Sequence, residues 1–306
     1  MGSEVRLTAW TADEAAAVAA FEHIFRDFDD LDRLLSVWHE TSDVSRLNAA
    51  AGRAPVTMNP LTIEVLQIAR EVSDLTHGTF DATFGALSGL WKFDHDQDDR
   101  VPSAREIATR LPLVDYQALE IDAKGGTAFL RRAGMRAHLG GIGKGFAVDR
   151  AATILRSHAI DDFMIQAGGD LYVGGRRGDR PWRGAIKDPR SDREIAALDL
   201  INETLSTSGD YERFFIRDGR RFHHILDPDD GAPARGSRSV TIVTDRAVMA
   251  DGLSTGIFIL GPEAGMRLIE ELPGVEGVIV SAANEVLVSS GLEGRLQMLA
   301  PPTDAP

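Results

Sequence analysis

The chain has 306 residues, 43% hydrophobic and 26% charged, an ordinary globular composition with length for one large core or two modest ones. Its 47 acidic residues against 33 basic ones give a net charge of −14. That excludes a general binder of nucleic acid or anionic membrane, since a phosphate surface demands a basic face. The absence of cysteine from the sequence removes disulfides, thiolate catalysis and cysteine-ligated zinc.

Residues 5–10 read as a first strand. Residues 13–35 place Ala16, Ala20, Ile24, Phe28, Leu31 and Leu35 at helical spacing, which predicts a long amphipathic helix. Short helices are expected over 42–50 and 101–111. A longer one is expected over 60–76, with Pro60 suited to its first turn and Gly78 to its end. Residues 118–122, 128–132 and 135–138 are strand candidates leading into a helix over 145–158. Further strands are expected at 163–166, 171–174, 182–186, 195–200, 213–217, 222–226 and 240–244. Helices over 247–260 and 262–271 and strands near 277–280 and 285–288 complete the pattern.

This order predicts an α+β fold with mostly antiparallel strands, packed helices and a helix-rich N-terminal part. A single compact domain over 1–299 is expected, with 300–306 a disordered tail. No apolar run reaches the length of a membrane span. Residues 1–10 lack the basic start and apolar stretch of a secretory leader.

The most pointed segment is His138-Leu139-Gly140-Gly141-Ile142-Gly143-Lys144-Gly145, directly before a helical pattern. Glycines allow close backbone approach, and the N–H groups at a helix start attract phosphate. Either a phosphate site or a tight turn explains it. The chain has only four lysines (Lys92, Lys124, Lys144 and Lys187), which draws notice to Lys144.

Other segments have both bland and chemical readings. Gly78-Thr79-Phe80-Asp81-Ala82-Thr83 fits a helix C-cap followed by an N-cap. Gly168-Gly169-Asp170 fits a hairpin turn, and Ser206-Thr207-Ser208-Gly209-Asp210-Tyr211 a hydroxyl-rich strand end or turn. On a strand, His223 and His224 face opposite sides, so at most one points into a given cleft. Asp251 and Thr255 stand at i and i+4 on a helix that is otherwise apolar, so a carboxylate and a hydroxyl share one face. Such hard oxygens suit Mg²⁺. An ordinary polar helix face is the alternative.

Taken in order, these segments resemble the FAD:protein FMN transferase (ApbE) family. The likeness is carried by Leu35–Trp38 with Ser42 and Arg46-Leu47-Asn48, by 78–83 with Leu90-Trp91, by 139–149 and by Gly168-Gly169-Asp170. Residues 206–211, 224–231 and 250–255 complete it. The resemblance implies a T-fold-like body and a Mg²⁺-dependent enzyme that moves the FMN half of FAD onto a Thr or Ser of a target flavoprotein, with AMP leaving. It implies metal ligation by Asp251 and Thr255 side chains and the Gly141 carbonyl, with Ser254 assisting. FAD contacts would come from Met1, Trp38, Thr79, Phe80, Asp81, His138, Lys144 and Ile225. His224 would act near the phosphates, with Asp251 and Thr255 completing the catalytic set.

Three positions depart from the family pattern: His138 stands where an acidic residue is usual, Asp230 where Thr is common and Gly252 where Ala is common. The family's usual setting points to the periplasm with a leader removed, ahead of the cytoplasm. Two further readings share the same residues: an FAD pyrophosphatase releasing FMN and AMP, and a flavin-binding protein without turnover.

Overall fold

The structure, a computed structural model, describes residues 4–93 and 96–305. Met1, expected at the FAD site, lies outside them. The chain opens with β1 (Val5–Ala9) and α1 (Glu14–Leu35). Asp13 caps α1 by accepting from the Ala16 N–H at 2.9 Å, and Ala20, Ile24, Phe28, Leu31 and Leu35 form its buried stripe. Ser42 caps α2 (Asp43–Ala50), and β2 (Val56–Thr57) follows. Asn59 caps α3 (Pro60–Leu75), where Pro60 gives up no needed N–H. A reciprocal Ser103–Glu106 box starts α4 (Ala104–Arg110). Two short strands, β3 (Leu119–Asp122) and β4 (Thr127–Leu130), join β2 in a small sheet.

Residues 135–138 do not form the strand their alternation suggests; only an isolated bridge links Arg136 to Phe84. The Asn48 side chain takes both backbone groups of Ala137, accepting from its N–H and donating to its carbonyl at 2.6 and 2.9 Å. The Ala82 carbonyl accepts the His138 N–H. With its hydrogen bonds met this way, the segment has no call for a ladder.

The second half begins with α5 (Gly143–Ser157) and runs through β5 (Phe163–Ala167), β6 (Asp170–Gly174), β7 (Trp182–Lys187), β8 (Glu194–Leu200) and β9 (Glu203–Gly209). Then come β10 (Phe214–Arg217), β11 (Arg220–His223), β12 (Ser237–Thr244), α6 (Ala247–Leu260) and α7 (Pro262–Glu271). The chain closes with β13 (Glu276–Ser281), β14 (Val286–Val288) and β15 (Leu296–Met298).

Seven strands form the main sheet in the order β1-β5-β6-β9-β12-β13-β14, and each neighbouring pair is antiparallel. The helices α5, α6 and α7 pack on one face. The sheet β15-β8-β7 covers the other, where Trp182, Ile195 and Leu198 meet Val173, Val243 and Val278. A central strand buried on both faces carries apolar groups on each: Val240 and Ile242 of β12 face the helices, and Val243 faces the second sheet. A third cluster stacks Trp91, Phe93, Phe215 and Phe222 beneath the β10–β11 hairpin.

The end of the chain departs from expectation. Residues 300–305 are tied to the body through Thr303, whose N–H donates to the Asp188 carboxylate at 3.0 Å. Asn284 donates to the Pro302 carbonyl and Arg238 to the Thr303 carbonyl.

Candidate functional site

The glycine turn at 139–145 becomes the first turn of α5, and no side chain caps its start at Ile142. One orphan donor there is already spoken for: the Gly145 N–H reaches Oδ2 of Asp251 on α6 at 2.9 Å. The close approach requires glycine. A β-carbon at Gly145 would lie 2.3 Å from the Ala247 carbonyl oxygen and 2.8 Å from the Asp251 β-carbon. The start of α6 is held in turn by α5, since the Asp149 carboxylate accepts from the N–H groups of Ala247 and Val248 at 2.8 and 3.0 Å. Burial raises the Asp149 pKa against those bonds. Two helix starts are therefore locked together, each by a carboxylate from the other.

Lys144 extends from this junction into a ring of oxygens. Its Nζ lies 3.1 Å from Asp251 Oδ1 and 3.3 Å from Asp170 Oδ2. Burial works against the ammonium, but the two carboxylates outweigh it and raise the Lys144 pKa. Asp170, only 1% exposed, is raised to about 6 by burial and then by the Asp251 charge, with Lys144 pulling it back. Its other oxygen takes the Ser206 hydroxyl of β9. Next along that face of β9, the Ser208 hydroxyl lies 2.8 Å from Ser254 Oγ and 3.1 Å from Thr255 Oγ1.

Gly141 stands against this group: a β-carbon there would be 3.4 Å from Thr255 Oγ1 and 3.3 Å from the Phe80 ring. The structure thus brings Gly141, Lys144, Asp251, Ser254 and Thr255 together. Among the described residues no three His, Cys, Asp or Glu side chains form a metal-ligand cluster. A cation here would rely on one carboxylate plus hydroxyl and carbonyl oxygens. That all-oxygen donor set, beside an Asp170 oxygen lacking a hydrogen bond, fits a hard divalent ion that keeps part of its water shell.

The other candidates fall around the group. Thr79 Oγ1 lies 2.9 Å from the Gly256 carbonyl, tying the 76–80 turn to α6, and Phe80 is buried beside Gly141. Asp81 is buried and its oxygens serve that turn, accepting from the Thr83 N–H and hydroxyl at 2.6 Å and from the Tyr116 N–H at 2.8 Å. Burial raises its pKa. His138 accepts the Gly140 N–H at Nδ1, which leaves Nε2 to carry the proton of the neutral ring, and it packs on Phe84. Trp38 presents its indole on the turn after α1, 59% exposed.

His223 and His224 divide as strand alternation demands. His223 is a core residue, its Nε2 2.9 Å from the Ala234 carbonyl and its ring edge-on to Phe258. His224 is half-buried, and its Nδ1 lies 3.3 Å from the Arg213 carbonyl oxygen, which can only accept. Burial, then the Arg213 charge, hold its pKa well below the ordinary imidazole range. The ring is therefore neutral at pH 7, with Nε2 as an acceptor. Ile225, next in the chain, is buried with its carbonyl accepting from Ala234.

Asp170, Ser206 and Ser208 lie in two of the segments that carry the resemblance, yet the sequence gives none of them a role at the site. The alternation Thr204, Ser206, Ser208 on a common face of β9 is a further signal. A cavity of about 390 Å³ lined by Val101, Arg217, Asp218, Arg220 and Phe222 lies at the β10–β11 hairpin and includes none of the Lys144–Asp251 group.

The fold matches solved structures of ApbE proteins. An ApbE protein from Thermotoga maritima superposes with a TM-score of 0.88 at 33% identity, covering 96% of each chain. The flavin transferase ApbE from Vibrio cholerae gives 0.87 at 28% identity, again over 96% of each. In sequence, the chain is 33% identical over 279 residues to an FAD:protein FMN transferase of Klebsiella pneumoniae (strain 342), covering 89% of this chain and 79% of that protein. It is 33% identical over 317 residues to one from Treponema pallidum (strain Nichols), covering 98% and 87%. Residues 1–279 match the ApbE family model, and the chain belongs to the ApbE family.

Proposed function

We propose that this protein transfers the FMN half of FAD to a Thr or Ser hydroxyl of a target flavoprotein, releasing AMP, and that it needs Mg²⁺ to do so. The observation that carries this reading is the half-buried Lys144 held between Asp251 and Asp170 at an uncapped helix start. An acidic protein needs local positive charge to take a pyrophosphate, which Lys144, the N–H groups of the helix start and a bound cation would supply together. Lys144 and the first turn of α5 would bind the phosphates, and the Trp38 ring would pack against a flat ring of FAD. Asp251, Thr255 and the Gly141 carbonyl would hold the cation, with Ser254 beside them. Bound there, Mg²⁺ would neutralise charge on the phosphoryl oxygens.

In the reaction the acceptor oxygen bonds to the FMN phosphorus, the bridging P–O bond to AMP breaks, and the hydroxyl proton must leave. His224 is the candidate to receive that proton, because its Nδ1 proton is directed at the Arg213 carbonyl and Nε2 is left unprotonated. Positioning the hydroxyl in line would supply much of the remaining rate.

The test incubates the protein with FAD, Mg²⁺ and a candidate acceptor flavoprotein. Flavin fluorescence that stays with the acceptor after denaturation, matched by AMP release, supports transfer. FMN and AMP in solution with an unlabelled acceptor would mean hydrolysis, and intact FAD after hours would mean binding alone.

A further inference from the structure

Asp170 begins β6, paired across the ladder with Ser206 of β9. The Ser206 hydroxyl binds one carboxylate oxygen, which fixes the direction of the other. That second oxygen is buried and, among the described residues, has no partner at hydrogen-bonding geometry; the Lys144 ammonium lies 3.3 Å from it. A residue serving only the 167–170 turn would not need a buried carboxylate clamped and aimed at a lysine on another element. Burying such a charge is costly without a function for it.

Lys144 is thereby shared between two carboxylates, 3.1 Å from one and 3.3 Å from the other. Were Asp170 neutral, the ammonium would pair with Asp251 alone and compete with any cation for that oxygen. We propose that Asp170 is a positioning residue that draws Lys144 off Asp251, keeping the Asp251 carboxylate open to a divalent cation while the ammonium stays in place for an anionic nucleotide. This rests on the flavin-transfer reading above.

The test titrates Mg²⁺ at fixed FAD and follows FAD binding by equilibrium dialysis, so that no turnover is needed. Asp170→Asn keeps the shape and a partner for Ser206. It is expected to raise half-saturating Mg²⁺ about tenfold, with FAD affinity recovering at saturating Mg²⁺, because a competitor for one ligand is overcome by excess ion. In a Lys144→Ala background the same change should shift the Mg²⁺ requirement less than about twofold, since the effect acts through the lysine. Ser206→Ala, which only unclamps the carboxylate, should shift it the same way by about threefold and covers the case in which Asp170→Asn fails to fold. An unchanged Mg²⁺ requirement in folded Asp170→Asn, or an equal shift with and without Lys144, overturns the proposal. Wild-type protein that binds FAD equally with and without Mg²⁺ overturns the metal-dependent reading itself, which keeps the two failures apart.

Discussion

Gly145→Ala sets two rules against each other. Gly145 lies inside α5, where alanine is the better helix former by about 1 kcal/mol. The added methyl would meet the Ala247 carbonyl oxygen at 2.3 Å and its carbon at 2.7 Å, backbone atoms that cannot rotate away. Restoring ordinary contact requires α5 and α6 to part by about 1 Å. That would break the 2.9 Å bond from the Gly145 N–H to Asp251, a charge-assisted contact of about 1.5–3 kcal/mol. Overpacking adds about 1–3 kcal/mol. Against the propensity gain, the net expectation is a loss of about 2–4 kcal/mol, or a Tm lower by roughly 4–10 °C. Urea denaturation with circular dichroism measures it directly. A variant as stable as the parent would refute the claim that a tight α5–α6 junction holds the site.

Three other outcomes follow from the same structure. Asp251→Ala should abolish flavin transfer while keeping the native circular dichroism spectrum; full activity would remove Asp251 from the site. Asp210→Asn strands the Arg190 guanidinium, now paired at 2.6 and 2.7 Å with side chains 7% and 9% exposed, and should cost about 3–5 kcal/mol in denaturant melts. A loss under about 1 kcal/mol would contradict that. Burial would raise the Asp188 carboxyl, but hydrogen bonds from the Thr303 hydroxyl, the Arg190 N–H and Ser191 prevail and hold it at about 2, below its ordinary 3.8. Its stabilisation, about 2 kcal/mol, is therefore complete above about pH 4 and lost as pH falls towards 2. Asp188→Asn should flatten that part of the acid-unfolding curve and speed hydrogen exchange at Thr303; an unaltered curve would count against the anchor.

The helices were legible because their signals are local. Asp13, Asn59-Pro60 and the Ser103–Glu106 box mark starts within a few residues of what they satisfy. The bounds of α6 and α7 follow from an apolar run cut by Gly261-Pro262. β9 was not legible, because Glu-Thr-Leu-Ser-Thr-Ser-Gly lacks the apolar alternation of a buried strand. Its hydroxyls find partners on β6, β12 and α6 that only the folded chain supplies. The same holds within the site. Asp251 and Thr255 share a face by helical spacing alone, whereas Asp170 meets Lys144 and Ser208 meets Ser254 only across the fold. The chain end follows the same rule: a terminal position suggests disorder, whereas Asp188, far away in sequence, accepts from the Thr303 N–H.

The most direct measurement is anomalous diffraction from crystals grown with FAD and Mn²⁺ standing in for Mg²⁺. The account predicts an anomalous peak within ligand distance of Asp251, Thr255 and the Gly141 carbonyl, with the FAD pyrophosphate against Lys144. FAD bound elsewhere, or bound here with no ion beside Asp251, would contradict it.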